Sequence, residues 1–127
     1  MFNKLSKWMS CFFLVVLCAC SSQKPENVIV EYFRYYQNGD LQAIQNLMAN
    51  NEIAKNETYG FESIESIYIS NMNDISISEE EAVIGVEFQV QYKKDKASFV
   101  WNEGSNYRTF VLKNKYGKWK IYSIGNA

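Results

Sequence analysis

From Ala82 to Tyr92 the residues alternate. Ala82, Ile84, Val86, Phe88, Val90 and Tyr92 fall on one side, and Val83, Gly85, Glu87, Gln89 and Gln91 on the other. Successive side chains of a strand point to opposite faces, so a period of two predicts a strand with one buried face. An apolar face of this length has to be covered by another element, which restricts the chain to folds with a layer packed on a sheet.

The covering layer is legible upstream. Pro25 and Glu26 suit the first turn of a helix, where a missing N–H costs nothing and a negative charge meets the positive end of the dipole. Val28, Ile29, Tyr32, Phe33 and Tyr36 then recur at intervals of three and four, the pattern of one buried helical face. Gly39 fits the left-handed position that closes helices. Asp40 can cap a second helix with Leu41, Ile44, Leu47 and Met48 on its inner stripe.

Asn50 to Gly60 is polar and reads as a loop with one helical turn around Ile53. Beyond Phe61 the period changes to two. Ile67, Ile69, Ile75 and Ile77 predict one long or interrupted strand, and Asp74 falls at a turn within it. Lys93 to Lys96 reads as a turn, with Ala97, Phe99 and Trp101 as a further strand. Asn102 to Gly104 is turn-rich and Tyr107 to Leu112 reads as strand. Asn114 to Gly117 turns into a last strand with Trp119, Ile121 and Ser123. Helices first and a meander after them predict an α+β fold, an antiparallel sheet covered on one face. Parallel pairing would need longer crossovers than these connections provide.

The first residues carry an address. Lys4 and Lys7 precede a twelve-residue apolar run from Trp8 to Ala19, the layout of a secretory signal. A helical membrane span needs about 20 apolar residues, so the run is too short for one. It ends in Leu17-Cys18-Ala19-Cys20, which resembles the lipobox of bacterial lipoproteins. The resemblance implies diacylglycerol on the Cys20 thiol and cleavage after Ala19. Cys18 fits less well as acceptor, because Leu17 is bulky for the position before a cut. A metal-binding reading of Cys18 and Cys20 lacks partners, since the chain has no histidine and no later cysteine.

The chain is therefore expected to divide into a signal over residues 1–19, a lipidated cysteine and tether over 20–24, and one domain over 25–127. One acyl chain binds membranes only marginally, and two or three make attachment effectively permanent. Ser21 to Lys24 reach at most about 14 Å, so the domain should lie close to the lipid. Ser21 and Ser22 follow the acceptor where a retention signal for the inner membrane would carry aspartate, so in a diderm cell the outer membrane is expected.

Charge divides the chain unevenly. Residues 24–92 hold 3 basic and 12 acidic side chains, whereas residues 93–127 hold 8 basic and 2 acidic ones. The bland account of the lysines is solvated turns and outward strand faces; the sharper one is attraction to anionic head groups or an acidic partner. Nucleic acid is not expected as a partner for a protein tethered outside the cytoplasm.

A helix, the corner Asn38-Gly39-Asp40, a second helix and strands ending in Tyr116-Gly117-Lys118-Trp119-Lys120-Ile121 are together similar to the nuclear transport factor 2-like superfamily. The nearest group is its small bacterial lipoproteins of unknown function. The resemblance spans Pro25 to Ile124 and implies a curved sheet around the first helix, a cone whose open end can hold a ligand or present a partner surface. Tyr32, Tyr36, Phe88 and Trp119 are the expected lining of such a pocket.

Relatives in that superfamily include isomerases that move protons, so an enzyme reading needs a base. Tyr32, Tyr36, Asp40 and Asp74 are candidates by composition alone. Tyrosine is a poor base near neutrality, its ordinary pKa being about 10. Asp40 has a sufficient role as a cap, and histidine, the commonest general base, is absent. No catalytic residue, cofactor or metal is expected. The expected role is a non-enzymatic accessory domain that binds a protein partner in the cell envelope, with a small-ligand carrier as the alternative.

Overall fold

The computed structural model describes residues 23–50, 53–55, 58, 60–95 and 100–126. Helix α1 spans Pro25–Asn38 and helix α2 Leu41–Leu47, followed by a 3-10 turn at Phe61–Ser63. Strands β1 (Ile64–Ile77), β2 (Glu81–Tyr92), β3 (Gly104–Lys115) and β4 (Lys118–Asn126) form one sheet in the order β1-β2-β3-β4. Every neighbouring pair is antiparallel. The fold is α+β, with the helices N-terminal to the meander.

Local chemistry accounts for the helix corner. Gly39 sits at φ 70°, and two bonds close α1: the Gly39 N–H donates to the Tyr36 carbonyl (3.1 Å) and the Asp40 N–H to the Tyr35 carbonyl (2.9 Å). This pair satisfies carbonyls that a helix end leaves unpaired. The Asp40 carboxylate then accepts from the Ala43 N–H at 3.1 Å and starts α2.

The stripe Val28, Ile29, Tyr32, Phe33 and Tyr36 is buried, as its spacing predicts, and meets the even-numbered face of β2. Rings form the contact. Phe33 lies 4.8 Å from Phe88 and 5.8 Å from Phe110, and Tyr32 lies 5.5 Å from Phe110. On the opposite face, Gly85 is buried because the Tyr107 ring crosses it; a Cβ there would stand 1.9 Å from the Tyr107 hydroxyl.

Three expectations need correction. Residues 64–77 form a single strand with three register shifts, and Asp74 lies inside it, opposite Ile84, rather than at a turn. Such bulges let a long strand bend with its partner instead of breaking. The strand expected at Ala97 to Trp101 is not formed where the chain is described: residues 96–99 lie outside the described residues, and Val100 and Trp101 are in a bend. Side chains take up the backbone groups that a strand would have paired. The Tyr92 hydroxyl donates to the Trp101 carbonyl at 2.7 Å, and the Asn106 amide both accepts from the Asn102 N–H (3.0 Å) and donates to its carbonyl (2.7 Å). Last, β3 and β4 run on to Lys115 and Lys118, so the turn is only Tyr116-Gly117, both at positive φ.

The two sheet edges are treated differently. Beside β4, Met48 bridges to Ile121, the Ala49 N–H donates to the Ile121 carbonyl, and Lys120 Nζ donates to the Asn46 carbonyl. Beside β1, the Gln37 side chain donates to the Glu65 carbonyl and accepts from the Ile67 N–H. Past that point, among the described residues, no backbone group pairs with the outer side of β1 from Ile69 to Ile77.

Candidate functional site

The open edge of β1 is one wall of a groove; α1 is the other. Val30, Phe33, Arg34 and Gln37 recur at three- and four-residue spacing on the helix flank that faces β1, and Ile67, Ile69 and Met72 come from the strand. The hollow between them measures about 470 Å³. Phe33 closes its floor, because the same ring packs on Phe88 beneath. Val30 remains 46 % exposed at the rim, a large apolar side chain that the fold leaves in water.

Exposed apolar groups continue beyond the groove. Tyr68, Ile75 and Ile77 all stand out of β1 into solvent. Three bulges and the exposed Asp74 are the devices β1 has against pairing with other chains; its sequence carries no lysine, arginine or proline. Arg34 is the cation of the groove and reaches back over the Tyr35 ring at 5.2 Å.

The residues expected to line a pocket lie elsewhere. Tyr32 and Phe88 have no exposed surface, Tyr36 has 2 % and Trp119 has 8 %. Tyr32 and Tyr36 do share one helical face, with ring centroids 5.7 Å apart. Tyr36 also meets Phe61 and Trp101 edge-on or tilted. A side chain with no accessible surface adjoins no water-sized hollow, so Tyr32 and Phe88 act in the described fold as packing.

Of the candidate acids, Asp40 is the α2 cap and Asp74 is an exposed strand residue. The two stand on different elements, and neither enters the groove. Cys20 lies outside the described residues. Among those residues no cluster of histidine, cysteine or acidic side chains could hold a metal ion, and no helix is long and apolar enough to cross a membrane.

Sequence reasoning missed Val30, Arg34, Gln37 and Met72. Val30 carried a usable signal, as an apolar residue just outside the buried stripe. Gln37 carried none, because its role depends on the edge strand lying beside it.

Lysines gather at the far end of the sheet. Lys113 and Lys115 stand over the Tyr122 ring at 4.8 and 5.4 Å. A hydrogen bond that the Lys115 ammonium donates to the Tyr122 oxygen, with Coulomb attraction to Tyr122 as the second cause, raises its pKa above the ordinary lysine value. Lys115 therefore stays charged throughout the neutral range.

Residues 26–84 match the family described as Domain of unknown function (DUF4829). The matched stretch covers nearly all of α1, then α2, β1 and the start of β2, and so includes both walls of the groove. No curated protein matches the chain.

Proposed function

We propose that this chain is a lipid-anchored bacterial envelope protein, tethered through Cys20, whose α+β domain binds a protein partner and performs no chemistry of its own. The helix, the Gly39-Asp40 corner and the four-strand meander support reading the domain as nuclear transport factor 2-like. The observation that carries the binding role is the groove between α1 and the unpaired length of β1. An extended segment laid along Ile69 to Ile77 would gain backbone bonds from the strand and apolar contacts with Val30, Phe33 and Met72. This is the strand-addition mode of peptide recognition.

A photo-crosslinking residue in place of Val30, in the full-length protein within its native membranes, tests the reading. The expected result is one crosslinked polypeptide, absent when the same residue replaces Glu26 on the same helix. Crosslinks to lipid alone, or an identical ladder from both positions, would contradict it.

A further inference from the structure

The direction of α1 fixes which end of the domain the tether leaves. Tyr36 packs against Trp101, Phe33 against Phe88 and Tyr32 against Phe110, which is paired with the region of Ile84. From its C-terminus to its N-terminus the helix thus runs from the Tyr92 end of β2 toward the Ala82 end. Pro25 emerges at the end that carries the β1–β2 and β3–β4 turns, at most about 10 Å beyond Tyr32 at 1.5 Å per helical residue.

The β3–β4 turn projects furthest there. Tyr116 lies six residues beyond Phe110, or about 20 Å along the strand. The β1–β2 turn stops short, since the carbonyls of Glu79 and Glu80 accept from the side chain and backbone of Asn114. Lys115, Tyr116, Gly117 and Lys118 therefore stand beyond it. A tether of four residues reaches about 14 Å, enough to bring a lipid on Cys20 level with Tyr116 and too little to bring it to the opposite end of the sheet.

The tip has a composition that the fold does not explain. Tyr116 is fully exposed and takes φ 57°, in a two-residue turn whose first position favours asparagine, aspartate or glycine. An aromatic residue there adds backbone strain and buries nothing. Tyrosine, like tryptophan, favours the level of lipid head groups, and lysines beside it meet anionic ones. The acids of this end, Glu26 on α1 and Glu79, Glu80 and Glu81 near the β1–β2 turn, belong to elements set back from the tip. Lys113 is paired with Glu81 across the ladder, and Lys120 is held by Asn46. Lys118 is the cation that leads; the Lys115 ammonium is set back behind it, over the Tyr122 ring.

We infer that the Lys115-Tyr116-Gly117-Lys118 hairpin tip is a second membrane contact, inserting Tyr116 among lipid head groups and setting the domain upright with its α1–β1 groove facing sideways. The inference rests on the Cys20 tether proposed above.

The test uses the full-length, processed protein reconstituted into phosphatidylcholine vesicles with and without phosphatidylglycerol. A single new thiol, Tyr116→Cys or Asn102→Cys, carries an environment-sensitive fluorophore, Asn102 being exposed at the opposite end of the sheet. Brominated lipid should quench the label at 116 and leave the label at 102 unaffected. Lys118→Gln should weaken the contact on anionic vesicles about fivefold, the fold-change that corresponds to ~1 kcal/mol for one lysine near a charged surface, and Lys115→Gln by no more than that. Intact mass keeps the two levels apart. Acylated protein whose label at 116 stays unquenched overturns the tip contact and leaves the tether standing; protein without acyl mass overturns both. A label at 102 quenched as strongly as that at 116 also refutes the orientation.

Discussion

Gln37 holds the backbone of Ile67 as a neighbouring strand would. Its Oε1 accepts from the Ile67 N–H at 2.7 Å, and its Nε2 donates to the Glu65 carbonyl at 3.1 Å. One helical side chain thereby fixes the distance between α1 and the edge of β1, and so the width of the groove. Gln37→Ala should lower stability by about 1 kcal/mol, the net value of bonds of this kind. Gln37→Glu should do no better, since a carboxylate would face the Glu65 carbonyl without a proton to donate. Urea unfolding of both variants checks this; a Glu variant as stable as the parent would show that the pair does not matter.

The ring cluster should dominate stability. Phe33 touches Tyr32, Phe88 and Phe110 at once and is 3 % exposed. Phe33→Ala should cost about 3 to 5 kcal/mol, as should Trp119→Ala if the 8 % exposed indole packs as fully. That is a large part of the roughly 5 to 15 kcal/mol typical of a domain. Thermal melts distinguish the outcomes: a small shift for Trp119→Ala alongside a large one for Phe33→Ala would assign Trp119 to the rim of the core.

The helix corner makes a finer prediction. At φ 70° Gly39 is strained by any side chain, yet a Cβ there would stand 3.4 Å from the Phe61 ring, a contact that a small movement relieves. The backbone cost should therefore exceed the steric one. Gly39→Ala should cost about 1 kcal/mol and Gly39→Asn less, because asparagine tolerates the left-handed region. Equal losses for Ala and Asn would point to crowding against Phe61 instead.

Periodicity revealed the elements whose burial it encodes. The α1 stripe, the Gly39-Asp40 corner and the inner face of β2 were legible because each depends on residues near in sequence. The bend at Trp101 was not, because it is stabilised by the Tyr92 hydroxyl and the Asn106 amide from other segments. Ile75 and Ile77 carry a strand's alternation, yet both are exposed, since alternation reports a face and not whether anything covers it. The same reason hid the groove: an apolar residue reads alike whether it faces a core or a future partner. Tyr32, Tyr36, Phe88 and Trp119 have the chemistry of a pocket lining, and their depth in the core follows only from how the helix lies on the sheet.

The lipid on Cys20 is the premise on which localisation, orientation and accessory role all depend. Its most direct test is the intact mass of the mature protein purified from its native membranes, with fragmentation of the N-terminal peptide. The expected result is a chain beginning at Cys20 that carries a diacylglycerol on sulfur. A chain beginning elsewhere, or a Cys20 with a free thiol, would contradict it.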